Sequence, residues 1–321
     1  MNNSEEVYNF RTWPNTVASI LMTINVIFGI LLSSSIVFIY LVDHNEKTSF
    51  NLMCAMRAFN NIMVMITSFV LVYIPTTILG YNLLPAWLES ILICSSINFY
   101  MYNEFQSIYI SINRFIAIYF PHHYNKLCGY TATAFISTLL YADRLRNISI
   151  ETYLRTSKQQ FIIYSSQYLM FSSMDVSGGG IVIMGALMFG IALFANLMTF
   201  IRISLFYLKS SMRDSRESRG SVRKNMKLFF QTVIQDVLFF IDNLFTFILL
   251  TLIEHRFWYF ICATFVWQTM HVIDGFVMIM FNDRLSFLKI TLFASSPTQL
   301  SVVEVSSQRS PARRAPIVIV S

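Results

Sequence analysis

Charge is scarce in this 321-residue chain, where Asp, Glu, Lys and Arg make up 12% of residues against about a quarter in an ordinary soluble domain. The scarcity excludes a water-soluble bundle of this size, whose helices would each need a polar face. Glycine and proline are also few, 10 and 7, which excludes a linker-rich or low-complexity chain. The 4 cysteines, Cys54, Cys94, Cys128 and Cys262, are scattered without C-x-x-C spacing. Neither a disulfide scaffold nor a zinc site is expected from them, only buried free thiols. H-E-x-x-H, Walker and G-x-S-x-G signatures are missing. His122 and His123 lie beside Pro121, and His44, His255 and His271 fall in separate spans or loops, with no partner spacing for a triad or a metal site. No enzyme activity and no cofactor are expected.

What the chain has in abundance is apolar residues, 55% of the total with 30 phenylalanines, gathered into long runs. A bilayer core needs about 20 apolar residues of helix. Val17 to Val42, Leu52 to Leu79, Ala86 to Phe120, Ile181 to Leu208, Leu228 to Ile253 and Phe257 to Phe281 all reach that length. Met1 to Pro14 is polar, with Glu5 and Glu6, and carries no cleavable leader pattern, so the first helix serves as its own membrane signal. The net charge of +6 is concentrated between apolar runs: Arg202, Lys209, Arg213, Arg216, Arg219, Arg223, Lys224 and Lys227 stand against Asp214 and Glu217. That placement fits the cytoplasmic leaflet rather than nucleic acid, and by the positive-inside rule it fixes the orientation, with the amino terminus outside. Residues 1–16 are then an extracellular terminus, 17–290 the bundle and 291–321 a disordered cytoplasmic tail.

The orientation requires one more crossing between Phe120 and Ile181. Thr131 to Tyr141 is apolar but spans only about 16 Å at 1.5 Å per residue. Phe161 to Met174 is the other candidate, broken by Ser165, Ser166, Gln167, Ser172 and Ser173. Between them Asp143 to Gln160, with Arg144, Arg146, Arg155 and Lys158, reads as a solvated amphipathic face and holds the sequon Asn147-Ile148-Ser149. The expectation is an all-α seven-helix membrane bundle of rhodopsin-like type whose fourth helix, near 131–141, is short, atypical or missing.

Ionisable side chains inside the spans cost about 2.5–3.5 kcal/mol each on insertion scales unless paired or hydrated, so they must face the bundle interior. The third helix carries Asn98, Asn103, Glu104 and Gln106; the sixth places Gln231, Gln235 and Asp242 on one stripe, with Asp236 and Asn243 beside it. In the seventh, His271 and Asp274 stand one turn apart, close enough to share a hydrogen bond. A polar lock between helices and a switch or ligand contact are both compatible with this pattern. Asn98, Tyr102, Glu104, Gln235 and Trp267 are the candidate pocket residues.

At the end of the third helix stands Ser111-Ile112-Asn113-Arg114-Phe115-Ile116-Ala117-Ile118, followed by Pro121 and Tyr124. This pattern resembles the nematode serpentine receptor class X chemoreceptors, a seven-helix receptor family. Ser49 to Cys54 with Arg57-Ala58 and Asn60 resembles that family's start of the second helix, and Pro75, Gly80 and Leu84-Pro85 its end. Gln231-Thr232, Gln235-Asp236 and Ile241-Asp242 are similar to its sixth helix, and Trp267, His271, Asp274-Gly275 and Phe281-Asn282 to its seventh.

The resemblance implies a G-protein-coupled chemosensory receptor for a small extracellular molecule, multi-pass in the plasma membrane of sensory neurons, with a heterotrimeric G protein and membrane lipids as partners. Arg114, with Asn113, would hold the inactive state and later meet the G protein, while Asp242, His271, Asp274 and Asn282 would complete the switch. Two departures stand out: Cys94 has no cysteine partner in the segment before Cys262 where the family's outer bridge is anchored, and Ser33 replaces an asparagine common in the first helix. The alternatives are a divergent, non-signalling receptor, or a transporter or channel in which Glu104, Asp236, Asp242 and Asp274 line a path.

Overall fold

A computed structural model describes residues 13–43, 47–172, 179–210 and 216–281. Its long helices, numbered in chain order, are α1 (Trp13–Val42), α2 (Ser49–Leu79), α3 (Ala86–Tyr119), α4 (Tyr130–Lys158), α5 (Gly179–Ser210), α6 (Arg216–Phe247) and α7 (Arg256–Phe281). Thr48 caps α2, its hydroxyl accepting from the Asn51 amide, and Gly80 ends it at φ 81°, a left-handed conformation that glycine adopts without strain. Two helices are wound more loosely for part of their length, α2 over Met65–Tyr73 and α7 over Phe260–Phe265, both as π-helix. Such π segments shift the register of the side chains beyond them and occur often at functional sites.

The helices close into a ring. α1 packs on α2 and α7, α2 on α4, α5 on α6, and α6 on α7, while α3 runs through the middle against α2, α4, α5 and α6. The ring is inside-out relative to a soluble protein. Ile20, Phe28 and Phe38 of α1, and Leu187, Phe194 and Leu197 of α5, point outward and are more than half exposed. Asn60, Asn103, Gln106 and Gln268 are fully buried within. Apolar side chains thus face where lipid lies, and polar ones find their partners across the bundle. At Gly275 a Cβ would stand 3.2 Å from Ser33 Oγ, so α7 and α1 approach closely there.

The fourth helix is neither short nor missing. α4 runs for 29 residues, about 43 Å at 1.5 Å per residue, beginning at Tyr130 and continuing through the charged stretch whose pattern reads as a solvated amphipathic face. Its hydropathy is low because its inward face uses Thr133, Ser137 and Tyr141, and because Asp143 bonds locally to Arg144 and, at 2.7 Å, to Arg146. Asn147 stands on this helix rather than in a loop. Phe161 to Met174, the alternative crossing, contains instead a two-stranded hairpin, β1 (Ile163–Ser165) against β2 (Met170–Ser172), with Tyr164 opposite Phe171.

No disulfide holds the hairpin, since Cys54, Cys94, Cys128 and Cys262 are all free and buried. Polar contacts do so instead. Glu89 at the start of α3 accepts from the Tyr164 amide at 2.6 Å and from Asn82 Nδ2 at 2.7 Å, and Ser90 Oγ accepts from the Ile162 amide at 3.1 Å. The Tyr164 ring stacks on Tyr73 at 4.2 Å between centroids, and Thr264 Oγ1 donates to the Leu169 carbonyl at 2.7 Å. α6 starts at Arg216, so its helix extends well before the apolar run at Leu228 and takes in much of the basic segment.

Candidate functional site

Beneath the hairpin a cavity of about 270 Å³ opens between α3, α4, α6 and α7. Asn98, Tyr100 and Glu104 of α3 line it, with Arg144, Asn147 and Glu151 of α4, Asp242 and Asn243 of α6, Trp267 of α7 and Phe171 of the hairpin. Glu104 Oε1 accepts from Asn243 Nδ2 at 3.2 Å. Asp242 is 3% exposed, and its Oδ1 is buried without a hydrogen-bond partner. The Tyr100 hydroxyl is buried beside both carboxylates and is a donor available to either.

Tyr100 and Trp267 form the floor, and both rings lie against His271, with centroids 5.8 and 6.1 Å away. From His271 a buried polar network crosses the bundle. At its centre Arg57 Nε of α2 reaches both Asp274 carboxylate oxygens of α7 at 3.0 Å, while Arg57 Nη1 donates to Ser107 Oγ at 2.8 Å. Arg57 Cζ also sits 4.7 Å over the Phe239 ring. Asp274 receives further donors from Asn61 Nδ2 at 2.8 Å and Gln235 Nε2 at 2.9 Å.

A carboxylate only accepts, so it fixes the sense of the chain that leads away from it. Asn61 must turn its amide nitrogen to Asp274, which leaves Asn61 Oδ1 to accept from Asn103 Nδ2 at 2.9 Å and from His271 Nδ1 at 2.8 Å. His271 therefore carries its proton on Nδ1. Asn103 Oδ1 accepts in turn from Asn60 Nδ2 at 3.0 Å, and Asn60 Oδ1 from the Tyr141 hydroxyl of α4. Five helices are joined through one ion pair and an ordered series of amides, an arrangement that strengthens in low dielectric.

At the other end of α3 the pattern reverses. Arg114 is 9% exposed and lies over the Phe50 ring, with Cζ 4.9 Å from the centroid. Its Nε and Nη2 are buried without hydrogen-bond partners, as is Asn113 Nδ2. It feels the field of Asp236 and of Tyr124, a residue of the short helix Pro121–Cys128 whose hydroxyl pKa is pushed up chiefly by burial. Among the described residues it forms no ion pair; Asp236 Oδ2 accepts from Asn196 Nδ2 at 2.6 Å, and Asp236 Oδ1 has no hydrogen-bond partner. Arg202 of α5 lies 5.8 Å over the Tyr119 ring at this same end.

Of the residues singled out from sequence, Asn98, Glu104, Trp267 and Asp242 meet at the cavity, while Tyr102 and Gln235 do not. Tyr102 faces α4, with its ring 4.6 Å from Tyr141, and Gln235 serves Asp274. Asp242, assigned to the switch by resemblance, lines the cavity instead of joining the Arg57–Asp274 network. His271 and Asp274 do not share a hydrogen bond: Asn61 stands between them and bonds to each. Asn282 lies outside the described residues.

With this geometry in view, comparison with known families gives a match to the serpentine type 7TM GPCR chemoreceptor Srx model over residues 24–282. The chain belongs to that family. It is a seven-helix membrane receptor of the G-protein-coupled chemoreceptor class. No curated protein matches it. The residues of the receptor that sequence reasoning passed over are Arg57 as a charge partner, Asn61, Ser107 and Tyr141. An arginine inside an otherwise apolar second span was the available signal, because such a cation demands a buried acid.

Proposed function

We propose that the receptor takes up an extracellular small molecule in the cavity beneath the hairpin and passes its binding to a heterotrimeric G protein at the Arg114 end, in the plasma membrane of a sensory neuron. The observation that carries this reading is the shared floor. Tyr100 and Trp267 line the cavity and also touch His271, whose Nδ1 donates to the Asn61 that holds Asp274. A molecule that reseats Trp267 disturbs the network at its first member, and a network with fixed donor and acceptor senses has few alternative arrangements.

Orientation supports it as well. The basic residues from Arg202 onward follow the Arg114 end, so that end belongs in the cytoplasm and the hairpin outside. Arg114, with buried unpaired nitrogens, is suited to donate to a carboxylate or a carbonyl of a partner, and Asn113 beside it offers a free donor. A permeation path through Glu104, Asp236, Asp242 and Asp274 draws no support here, because Asp274 is filled by Arg57, Asn61 and Gln235.

The test is a screen of small molecules on cells carrying the receptor and a G-protein recruitment sensor, followed by Trp267→Phe and Trp267→Leu. For an agonist found this way, Trp267→Leu is expected to lower potency at least about tenfold at unchanged surface abundance, with Trp267→Phe intermediate. Wild-type potency in Trp267→Leu contradicts the reading.

A further inference from the structure

Three carboxylates line the cavity, Glu104, Glu151 and Asp242, against a single guanidinium, Arg144. That guanidinium is ion-paired through Nη2 with Asp143, its Cζ lies 4.8 Å over the Phe105 ring, and its Nε is buried without a partner. Glu104 has one neutral amide donor, from Asn243. Asp242 Oδ1 is buried without a hydrogen-bond partner, and the neighbouring Tyr100 hydroxyl is shared between Asp242 and Glu104. An acceptor oxygen in that position is stranded unless something in the cavity donates to it, since burial of an unsatisfied polar atom costs about 1–3 kcal/mol and more for a charged group.

The remaining walls set the kind of donor. Tyr100, Phe171, Phe247 and Trp267 present aromatic surface around the acidic side. Aromatic faces attract cations and cover apolar groups, so together with the carboxylates they favour a cation with a hydrocarbon or aromatic body over a bare ion. The size of the cavity, about 270 Å³, admits such a molecule.

We infer that the ligand is a small organic ammonium ion, its N–H donors directed to Asp242 and Glu104 and its apolar body against Trp267 and Phe171. The inference rests on the proposed ligand role of the cavity and adds the charge of the occupant. An anionic ligand would meet three acidic side chains against one guanidinium already paired with Asp143, and a neutral alcohol would leave the Asp242 oxygen with weaker donors. The hydrogen bond that decides the matter is charge-assisted on both sides, the stronger class.

The test uses the full-length receptor solubilised in detergent and follows its thermal unfolding, a readout that needs no G protein. The probes are primary amines of graded size, with 2-phenylethylamine as the reference, each paired with its alcohol and its carboxylic acid. At least one amine is expected to raise the melting temperature saturably, its alcohol and acid having no effect at the same concentration. In Asp242→Asn the amine's apparent affinity should fall about 10- to 100-fold, the range that a hydrogen bond to a charged group implies. Glu104→Gln should give a smaller loss, and both variants should melt as the wild type does without ligand or somewhat higher.

Stabilisation by alcohols or acids alone overturns the inference while leaving the cavity as the ligand site. Failure of all three classes overturns both. Equal stabilisation by sodium ion alone replaces the organic cation with an inorganic one and also overturns it. If Asp242→Asn fails to fold, Glu104→Gln together with the amine-to-alcohol comparison still decides.

Discussion

Arg57 and Arg114 are both buried arginines of one bundle, 1% and 9% exposed, each over an aromatic ring, and they differ in that only Arg57 has a carboxylate partner. Arg57 meets a carboxylate, a hydroxyl and an aromatic ring, with Nη2 alone left unpartnered, and Asp274, its partner, is bonded twice more. Arg114 has an aromatic ring and two stranded nitrogens. Desolvating a cation costs several kcal/mol, which only good geometry with an opposite charge offsets. The first site is built to stay closed, whereas the second is left incomplete. One intramembrane arginine has a carboxylate partner and the other has none among the described residues, and the signalling role proposed for Arg114 rests on that contrast.

The largest effect expected from this comparison is at Arg57. Arg57→Met leaves Asp274 buried without its counter-charge and should destabilise the solubilised receptor by about 3–5 kcal/mol, read as a fall in melting temperature and in surface abundance. Arg57→Met with Asp274→Leu removes both charges and should recover most of that loss. A double variant as unstable as the single one would mean that the ion pair is not what Arg57 contributes.

An intermediate effect concerns how the network is wired. His271 and Asp274 do not touch, but Asn61 bonds to both. His271→Gln and Asp274→Asn should therefore be coupled by about 0.5–3 kcal/mol in a double-mutant cycle on stability, and that coupling should vanish when Asn61 is replaced by Leu in all four proteins. Coupling that survives in the Asn61→Leu background would place the contact elsewhere. The smallest effect is at the far end of the series, where Tyr141→Phe removes one hydroxyl from Asn60. Hydrogen bonds between membrane helices average about 0.6 kcal/mol, so this variant should melt only slightly lower and signal normally.

How far the sequence could be read follows from the same physics. Five spans are plain in hydropathy because their outward faces meet lipid with apolar side chains. α3 is legible through its polar residues, which must point inward. α4 is not, because hydropathy weighs residues without regard to face: Thr133 and Ser137 are buried and polar, and the charges of Asp143, Arg144 and Arg146 largely satisfy one another. The cavity is half legible. Asn98, Glu104 and Trp267 are there, but helical spacing shows which side of a helix a residue shares, never which neighbour stands opposite, and so it groups Gln235 and Tyr102 with a site they do not join. Helical spacing likewise put His271 and Asp274 on one face and gave no sign of Asn61 between them. Residues such as Asn282 and the tail at 291–321 lie outside the described residues.

The proposed division of duty between the two arginines is tested most directly at Arg114, with surface abundance and agonist-dependent G-protein recruitment measured in the same cells for Arg114→Met. Surface abundance should equal or exceed that of the wild type, because the substitution removes a buried cation whose Nε and Nη2 have no partner, while recruitment per surface receptor should be abolished or become independent of agonist. A variant that loses surface abundance but, molecule for molecule, recruits the G protein as the wild type does would make Arg114 a structural residue and contradict the account.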